Sequence, residues 1–271
     1  MDLANLLLLL VGGLFSGVAA GILGIGGGTI LVPLIVTFGY PPVQAVATST
    51  LAIVMTSIAG SFQNWRMGNL SLKKVLYLGI PSMITSPIGV LIANKINSYF
   101  LLFGFGLLLL INIYLISLRQ SFTAKAKNQA DSIFYNSPNF NKLQLSSIVS
   151  RIATGGSAGI IAGLFGLGGG VVMVPLQIIL LEENIKAAVQ TSLGVIVITA
   201  IFACTSHAFS GNVLFPQGIC LGLGGLLGVQ LSARFLPKLS DKTVSFLFRG
   251  FMGLLAGYMF VQAWSNYMLG D

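Results

Sequence analysis

The chain has 271 residues, of which 55% are hydrophobic and only 7% are charged, and its mean hydropathy is +0.92. About a quarter of the residues of soluble domains are charged, so this composition excludes a soluble enzyme and a secreted disulfide-rich protein. The formal net charge of +8 does not indicate a nucleic-acid partner, because the basic residues lie mostly between apolar segments, as in loops of membrane proteins.

The apolar segments are long enough to cross a bilayer, which takes about 20 residues of helix. Residues 3–65 and 187–233 contain no charged side chain. Cutting the chain at charges and turn residues gives ten segments: 3–23, 29–38, 44–62, 75–92, 100–118, 147–167, 171–181, 187–209, 218–236 and 245–264. The sequence therefore predicts an all-α polytopic membrane protein that is embedded in the lipid bilayer.

The two halves of the chain resemble each other. Residues 17–34 (GVAAGILGIGGGTILVPL) align with residues 159–176 (GIIAGLFGLGGGVVMVPL), with 10 of 18 positions identical. Shorter matches follow in the same order, Thr48-Ser49 with Thr191-Ser192 and then residues 68–69 with 211–212. The sequence predicts two repeats, residues 1–118 and 147–271, joined by a linker at 119–146. Each repeat is expected to have four long helices and one short segment broken by glycine and proline.

The distribution of basic residues predicts how the repeats are oriented. Each short segment either crosses the membrane or folds back as a re-entrant hairpin with the helix before it. In both cases each half of the chain crosses the membrane an odd number of times, so the second half is inserted upside down relative to the first. Of the 14 basic residues, only Lys95 then falls on the side opposite the others. The positive-inside rule therefore favours inverted repeats in the cell membrane, with the linker in the cytoplasm and both termini outside. Inverted repeats with interrupted helices are typical of transporters.

The paired glycine clusters allow two interpretations. Four glycines in five positions do not suit a regular helix, and the proline that follows each cluster lacks an amide donor. One interpretation places the N-termini of the short helices near the membrane centre, where their amides are available to an anion. The other is close packing through small residues, or a hinge. The candidate substrate-binding residues of these clusters are Gly24, Gly26, Gly27, Gly28, Pro33, Gly166, Gly168, Gly169, Gly170 and Pro175.

Few other polar residues lie within the apolar segments. The hydroxyls of Thr48, Ser49, Thr191 and Ser192 are candidate anion donors, although each can instead bond to the carbonyl one turn earlier. The only histidine, His207, and also Asn64 are candidate gate or proton-linked residues. The alternative for His207 is an ordinary interfacial side chain. A single histidine without carboxylate or cysteine neighbours predicts no metal site, and no cofactor motif or catalytic residue is indicated.

The paired Gly-Xaa-Gly-Gly-Gly blocks, each with a following proline and a Thr-Ser helix, resemble the TauE/SafE family of sulfite-exporter-like membrane permeases. The resemblance covers nearly the whole chain except the linker and the termini. The glycines and prolines of both blocks and the four hydroxyl residues match the pattern of the family, residue by residue. The resemblance implies a permease, not an enzyme, and a small sulfur-containing anion such as sulfite, a sulfonate or sulfoacetate as the transported partner.

The leading hypothesis is a secondary transporter or facilitator that exports such an anion through a central site between the two broken helices. No Walker motif is present, and no Asp or Glu lies deep in a segment, which disfavours a carboxylate proton relay and a cation carrier. A purely structural subunit would not explain duplicated broken helices. Two alternatives stay open, a thiol-dependent membrane sulfur-handling protein that uses Cys204 and Cys220, and a proton-coupled carrier of another small anion.

Overall fold

The computed structural model describes residues 3–129 and 140–269, and this part of the chain folds into α-helices with one short 3₁₀ turn. The helices are α1 (Leu3–Leu23), α2 (Gly28–Thr37), α3 (Pro42–Arg66), α4 (Leu72–Ala93), α5 (Ser98–Gln129), α6 (Phe140–Phe165), α7 (Gly170–Leu180), α8 (Ile185–Phe209), α9 (Phe215–Phe235) and α10 (Asp241–Leu269). Six of them contain a stretch that is long and apolar enough to cross a membrane, namely α3, α4, α6, α8, α9 and α10. The predicted all-α polytopic class is confirmed.

The polar stretch between the repeats is more helical than the apolar pattern indicates. The apolar segments end at residue 118 and resume at 147, but α5 continues to Gln129 and α6 begins at Phe140. Polar and charged residues such as lysine and glutamine are good helix formers, so the end of an apolar run does not end a helix. The predicted linker at 119–146 therefore overlaps both helices, and its centre, residues 130–139, lies outside the described residues.

Helices at corresponding places in the two halves of the chain make corresponding contacts. Helix α1 packs against α9, and its counterpart α6 packs against α4, while the counterparts α3 and α8 contact each other, as do α5 and α10. Glycines permit the first two contacts. A Cβ on Gly17 would lie 2.1 Å from the carbonyl oxygen of Gly225, and a Cβ on Gly163 would lie 2.0 Å from that of Ser86. Small-residue packing is therefore the role of the glycines within these helices.

Equivalent motifs end α3 and α8. Beyond α3, Gly68 has φ +71° and the amide of Asn69 donates to the carbonyl of Asn64 at 2.9 Å. Beyond α8, Gly211 has φ +73° and the next amide donates to the carbonyl of His207 at 3.2 Å. A glycine in the left-handed conformation, followed by an amide that donates back to a carbonyl of the last helical turn, is a common helix C-cap. The short matches at 68–69 and 211–212 are thus the two helix ends.

The short helices fold back along the helices that precede them. Ser16 of α1 donates to the carbonyl of Gly27 at 2.8 Å, and a Cβ on Gly12 would touch the side chain of Leu34 in α2. Position 27 thus lies beside 16 and position 34 beside 12, so α2 runs antiparallel to α1. In the second repeat Gly169 likewise approaches Ala158. A crossing segment would also run antiparallel, but Gly28 approaches Ile53 at the middle of α3, so the turn lies part-way along the bundle, as in a re-entrant hairpin.

Hydrogen bonds between loops define two faces of the helix bundle. At the Asn94 face, which holds residues 38–41, 94–97 and 210–214, Asn94 bonds to both Ser210 and Asn212. At the Lys74 face, which holds residues 67–71, 181–184 and 236–240, Lys74 pairs with Glu183. Helix α3 thus begins at the face where α8 ends. Basic residues near the Lys74 face are Arg66, Lys73, Lys74, Lys186, Arg234, Lys238 and Lys242. Lys95 lies at the other face.

Candidate functional site

Two glycine loops, residues 24–28 and 166–170, interrupt the helical hairpins at equivalent places. In the first loop Gly24, Gly26 and Gly27 have φ of +67°, +74° and +82°. Their counterparts at 166, 168 and 169 have +65°, +69° and +83°. This left-handed region is readily open only to glycine, which explains why both loops need several glycines. Helices α2 and α7 begin directly after these turns, at Gly28 and Gly170.

The amides of both loops are buried and have no hydrogen-bond partner among the described residues. No hydrogen bond from the amides of residues 25–29 or 167–171 is found among the described residues, and neither helix has a side-chain N-cap. All of these residues are buried. Buried amides without a partner are rare because each costs free energy. The N-terminus of a helix also carries about half a positive charge. The two loops together therefore form a cluster of donors suited to an anion.

The loops lie in direct contact with each other in this conformation. A Cβ on Gly28 would lie 2.3 Å from the carbonyl oxygen of Gly166, and a Cβ on Gly170 would lie 2.2 Å from that of Gly24. The two loops are therefore closed against each other at these positions.

Two isoleucines pack against the closed loops. Ile53 of α3 and Ile196 of α8 are equivalent residues, both fully buried, and their side chains approach the glycines of both loops. Periodic apolar residues give no sequence signal that distinguishes this pair from the rest of the core. Both isoleucines were therefore missed in the sequence.

Ser49 and Ser192 fasten each loop to the opposite repeat. Ser49 donates to the carbonyl of Gly166 at 2.8 Å, and Ser192 donates to that of Gly24 at 2.8 Å. Each hydroxyl also lies within 2.8 Å of the carbonyl three residues earlier in its own helix. A hydroxyl has one proton to donate, so each serine shares it between a carbonyl of its own helix and a carbonyl of the opposite loop. The bond to the opposite loop stabilises the closed conformation. We call the two cross-repeat bonds the serine clamps.

The predicted threonines and prolines lie in the helices that adjoin the loops. Thr48 accepts a hydrogen bond from the amide of Leu214 at 3.0 Å, which places it against the start of α9, and Thr191 is buried in α8. Pro33 and Pro175 lie inside α2 and α7, each five residues after the helix begins, and both are buried. A proline removes one helix hydrogen bond but does not end either helix.

Asn64 and His207 occupy equivalent positions at the ends of α3 and α8, and both are fully buried. Nε2 of His207 lies 3.0 Å from the carbonyl oxygen of Gly163, and its Nδ1 has no partner among the described residues. Neither Oδ1 nor Nδ2 of Asn64 has a partner there either. Asn64 lies towards the Lys74 face and His207 towards the Asn94 face, and the residue that His207 contacts is one helical turn before the second glycine loop. A buried polar group left unpaired costs free energy, so both positions are candidates for a change of partner during a functional cycle.

One further polar side chain, which the sequence reading did not single out, lies at the first turn of α2. Thr29 is fully buried and its Oγ1 has no hydrogen bond among the described residues. The feature of the sequence that could have identified Thr29 is its position directly after the first glycine block. Within the described residues no cluster of His, Cys, Asp and Glu is arranged to hold a metal ion, and Cys204 and Cys220 form no disulfide.

In this polytopic helix bundle, two broken re-entrant helices meet at their buried N-termini. This arrangement is typical of membrane transport proteins. The family model described as "Sulfite exporter TauE/SafE" matches residues 9–259. The chain belongs to this family of membrane transporters, which are permeases and not enzymes.

Similar proteins carry the same general description. "Probable membrane transporter protein YunE" of Bacillus subtilis is 28% identical over 259 residues, which cover 90% of this chain and 93% of that protein. "Probable membrane transporter protein MJ0441" of Methanocaldococcus jannaschii is 27% identical over 269 residues, which cover 93% and 94% of the two chains. "Probable membrane transporter protein YdhB" of Bacillus subtilis is 26% identical over 243 residues, or 88% and 95%. No solved structure matches.

Proposed function

We propose that this chain is a secondary transporter or facilitator that exports a small sulfur-containing anion of the sulfite or organosulfonate class across the cell membrane. The observation that carries the proposal is the pair of glycine loops, whose buried amides lack partners and lie in contact at the centre of the bundle. Such donors stabilise an anion without a fixed cation that would hold it too tightly to leave. The family description supports sulfite as the representative substrate.

The surroundings of the loops favour an anion over a cation. The chain has six acidic residues. Glu182 and Glu183 lie between α7 and α8, Asp241 begins α10, and Asp2, Asp131 and Asp271 lie outside the described residues. A cation held near the membrane centre needs carboxylate or carbonyl ligands. The amide donors have the opposite polarity, so they would repel a cation.

The opposed directions of α3 and α8 support inverted repeats, and the basic residues at the Lys74 face support a cytoplasmic position for that face. The linker would then be cytoplasmic and both termini outside. With this orientation, the inside-negative membrane potential favours export of an anion by about 2.3 kcal/mol per charge per 100 mV. Export then needs no proton relay.

A proton-coupled carrier of a small anion is the second candidate. It is favoured by one observation, the unpaired Nδ1 of the buried His207. The thiol-dependent alternative has no comparable support, because Cys204 and Cys220 belong to no cluster of metal-ligating side chains in the described chain.

The test is a flux screen with purified protein in liposomes. Sulfite, sulfate, thiosulfate, sulfoacetate and chloride are compared, each with and without an imposed potential. We expect flux of at least one sulfur oxyanion above that of empty liposomes and above that of chloride. Equal rates with and without protein for all of the sulfur anions would contradict the proposed substrate class.

A further inference from the structure

Thr29 is a buried hydroxyl without a partner beside the unpaired amides of the first loop. Three buried threonines elsewhere in the helices, Thr56, Thr154 and Thr199, donate to a carbonyl one turn earlier at 2.6–3.0 Å. Thr29 lacks such a bond because its chain reverses in the glycine loop one turn earlier. Burying an unpaired hydroxyl costs free energy, so its position indicates a ligand.

The direction of the Thr29 side chain follows from its place in α2. It is the second residue of the helix, which begins at Gly28. The Cα–Cβ bonds of a helix tilt towards its N-terminus, so this side chain tilts towards the glycine loop. The loop amides and the positive end of the helix lie there. A hydroxyl and several amides therefore converge on the same region, and the hydroxyl is an observation independent of the helix end.

The second loop lacks this hydroxyl, because the equivalent residue is Val171. We propose that Thr29 is a specificity-determining residue, which donates to an oxygen of the transported anion and holds it nearer the first loop than the second. This inference rests on the proposed transport function. It favours an oxyanion over a halide such as chloride, because an oxygen atom accepts from the hydroxyl while the amides hold the charge.

The test replaces Thr29 by valine, which has the same shape without the hydroxyl, and compares Thr29→Ser as the control. Sulfite and sulfate are the probes, and KM for flux and thermal stabilisation of the detergent-solubilised protein are the readouts. Thr29→Val should weaken affinity for the transported probe about tenfold. It should also raise the unfolding temperature of the ligand-free protein, because an unpaired hydroxyl is removed. Thr29→Ser should retain affinity.

The outcomes separate this inference from the proposed function. If the wild-type protein moves neither probe, the proposed function has failed. If it moves sulfite and Thr29→Val moves it with the same KM, then only the role of Thr29 is overturned. A loss of affinity together with a lower unfolding temperature would also overturn it, since this result describes a structural residue.

Two equivalent contacts also join the repeats at opposite faces. Lys74 and Gln217 are each the third residue of α4 and α9, and Glu183 and Tyr40 each lie two residues before α8 and α3. At one face Nζ of Lys74 lies 2.6 Å from Oε1 of Glu183. At the other, Nε2 of Gln217 donates to the hydroxyl of Tyr40 at 2.9 Å. The same place in the fold therefore carries an ion pair on one side and a neutral hydrogen bond on the other.

These contacts hold the ends of the short helices against the opposite repeat. Residue 40 follows α2 and residue 183 follows α7, so each contact fastens the segment leading out of one hairpin to a long helix of the other half. We infer that the two contacts are the gates of the transport cycle, again on the basis of the proposed function. The loops open to the Lys74 face when the ion pair breaks, and to the Asn94 face when the neutral bond breaks.

The test measures access to the loops from each face. Ile53→Cys, in a protein without native cysteines, is labelled with an impermeant maleimide in proteoliposomes of known orientation. Glu183→Gln should raise the labelling rate from the Lys74 face about fivefold, and Tyr40→Phe should do so from the Asn94 face. High salt should raise access from the Lys74 face alone, because salt screens an ion pair but not a neutral bond.

The charge swap Lys74→Glu with Glu183→Lys is the matched control, and it should restore the low labelling rate. Unchanged rates in both single variants would overturn the assignment. So would equal increases from both faces in each variant, since these report a general loosening of the fold. The labelling readout needs no transported substrate, so it stands or falls separately from the flux screen.

Discussion

Gly28 and Gly170 are the points where the two glycine loops touch, and the distances there set the effect of adding one methyl group. A Cβ at either position would lie 2.2–2.3 Å from a carbonyl oxygen of the other loop, whereas ordinary contacts begin at 3.4 Å. Alanine must therefore move the loops apart by about 1 Å. Neither glycine has a positive φ, so the cost comes from the contact alone. We expect Gly28→Ala and Gly170→Ala each to lower the free energy of unfolding by about 1–3 kcal/mol.

Matched controls are available in the same chain. Gly250 and Gly257 lie in α10, and a Cβ on either would meet nothing within 4 Å. Alanine there should leave stability unchanged or raise it by up to about 1 kcal/mol, because alanine is the better helix former. Thermal unfolding in detergent measures stability, and sulfite flux in proteoliposomes measures transport. We expect the loop variants to lose most of their flux and the α10 variants to keep it.

The refuting result is specific. If Gly28→Ala and Gly170→Ala unfold at the wild-type temperature and transport at the wild-type rate, the closed contact between the loops is not part of the functional protein.

The serine clamps, the driving force and the topology each have a direct test. Ser49→Ala and Ser192→Ala should each lower the free energy of unfolding by about 1 kcal/mol, measured by thermal unfolding, because each leaves a buried carbonyl without a donor; unequal effects would contradict the equivalence of the two bonds. An imposed potential should drive anion flux and produce a measurable current, and His207→Gln should leave this flux largely intact. Flux that follows a pH gradient and disappears in His207→Gln would establish proton coupling instead. Ser132→Cys, which lies outside the described residues, should be labelled by an impermeant maleimide only after the cell membrane is opened; labelling in intact cells would contradict the inverted topology.

The helix breaks could be predicted because glycine and proline act on the backbone locally. The short segments expected from residues 29 and 171 begin one residue earlier, at Gly28 and Gly170. The left-handed turns before them are the reason. The ends of α5 and α6 could not be predicted in the same way. Apolar patterning marks the part of a helix that lies in the membrane, and a helix can continue beyond it with polar residues.

The serine clamps could not be predicted because their partners are distant in sequence. Ser49 bonds to a residue 117 positions away and Ser192 to one 168 positions away. The hydroxyls themselves gave the right region, next to the glycine loops, but not the partner. The same holds for Lys74, whose pairing with Glu183 joins positions 109 apart.

The serine clamps have a consequence for the origin of the chain. Each repeat supplies the hydroxyl that closes the loop of the other, so one repeat by itself holds an incomplete site. A half-length ancestor would have needed two copies of itself, facing each other, to form both clamps. In such a pair every residue is necessarily the same in both copies. Two repeats in one chain are free of that constraint, and this chain has threonine in one loop and valine in the other, and an ion pair at one face and a neutral bond at the other. A symmetric channel conducts equally in both directions by construction, whereas a fused one can acquire a preferred direction one substitution at a time.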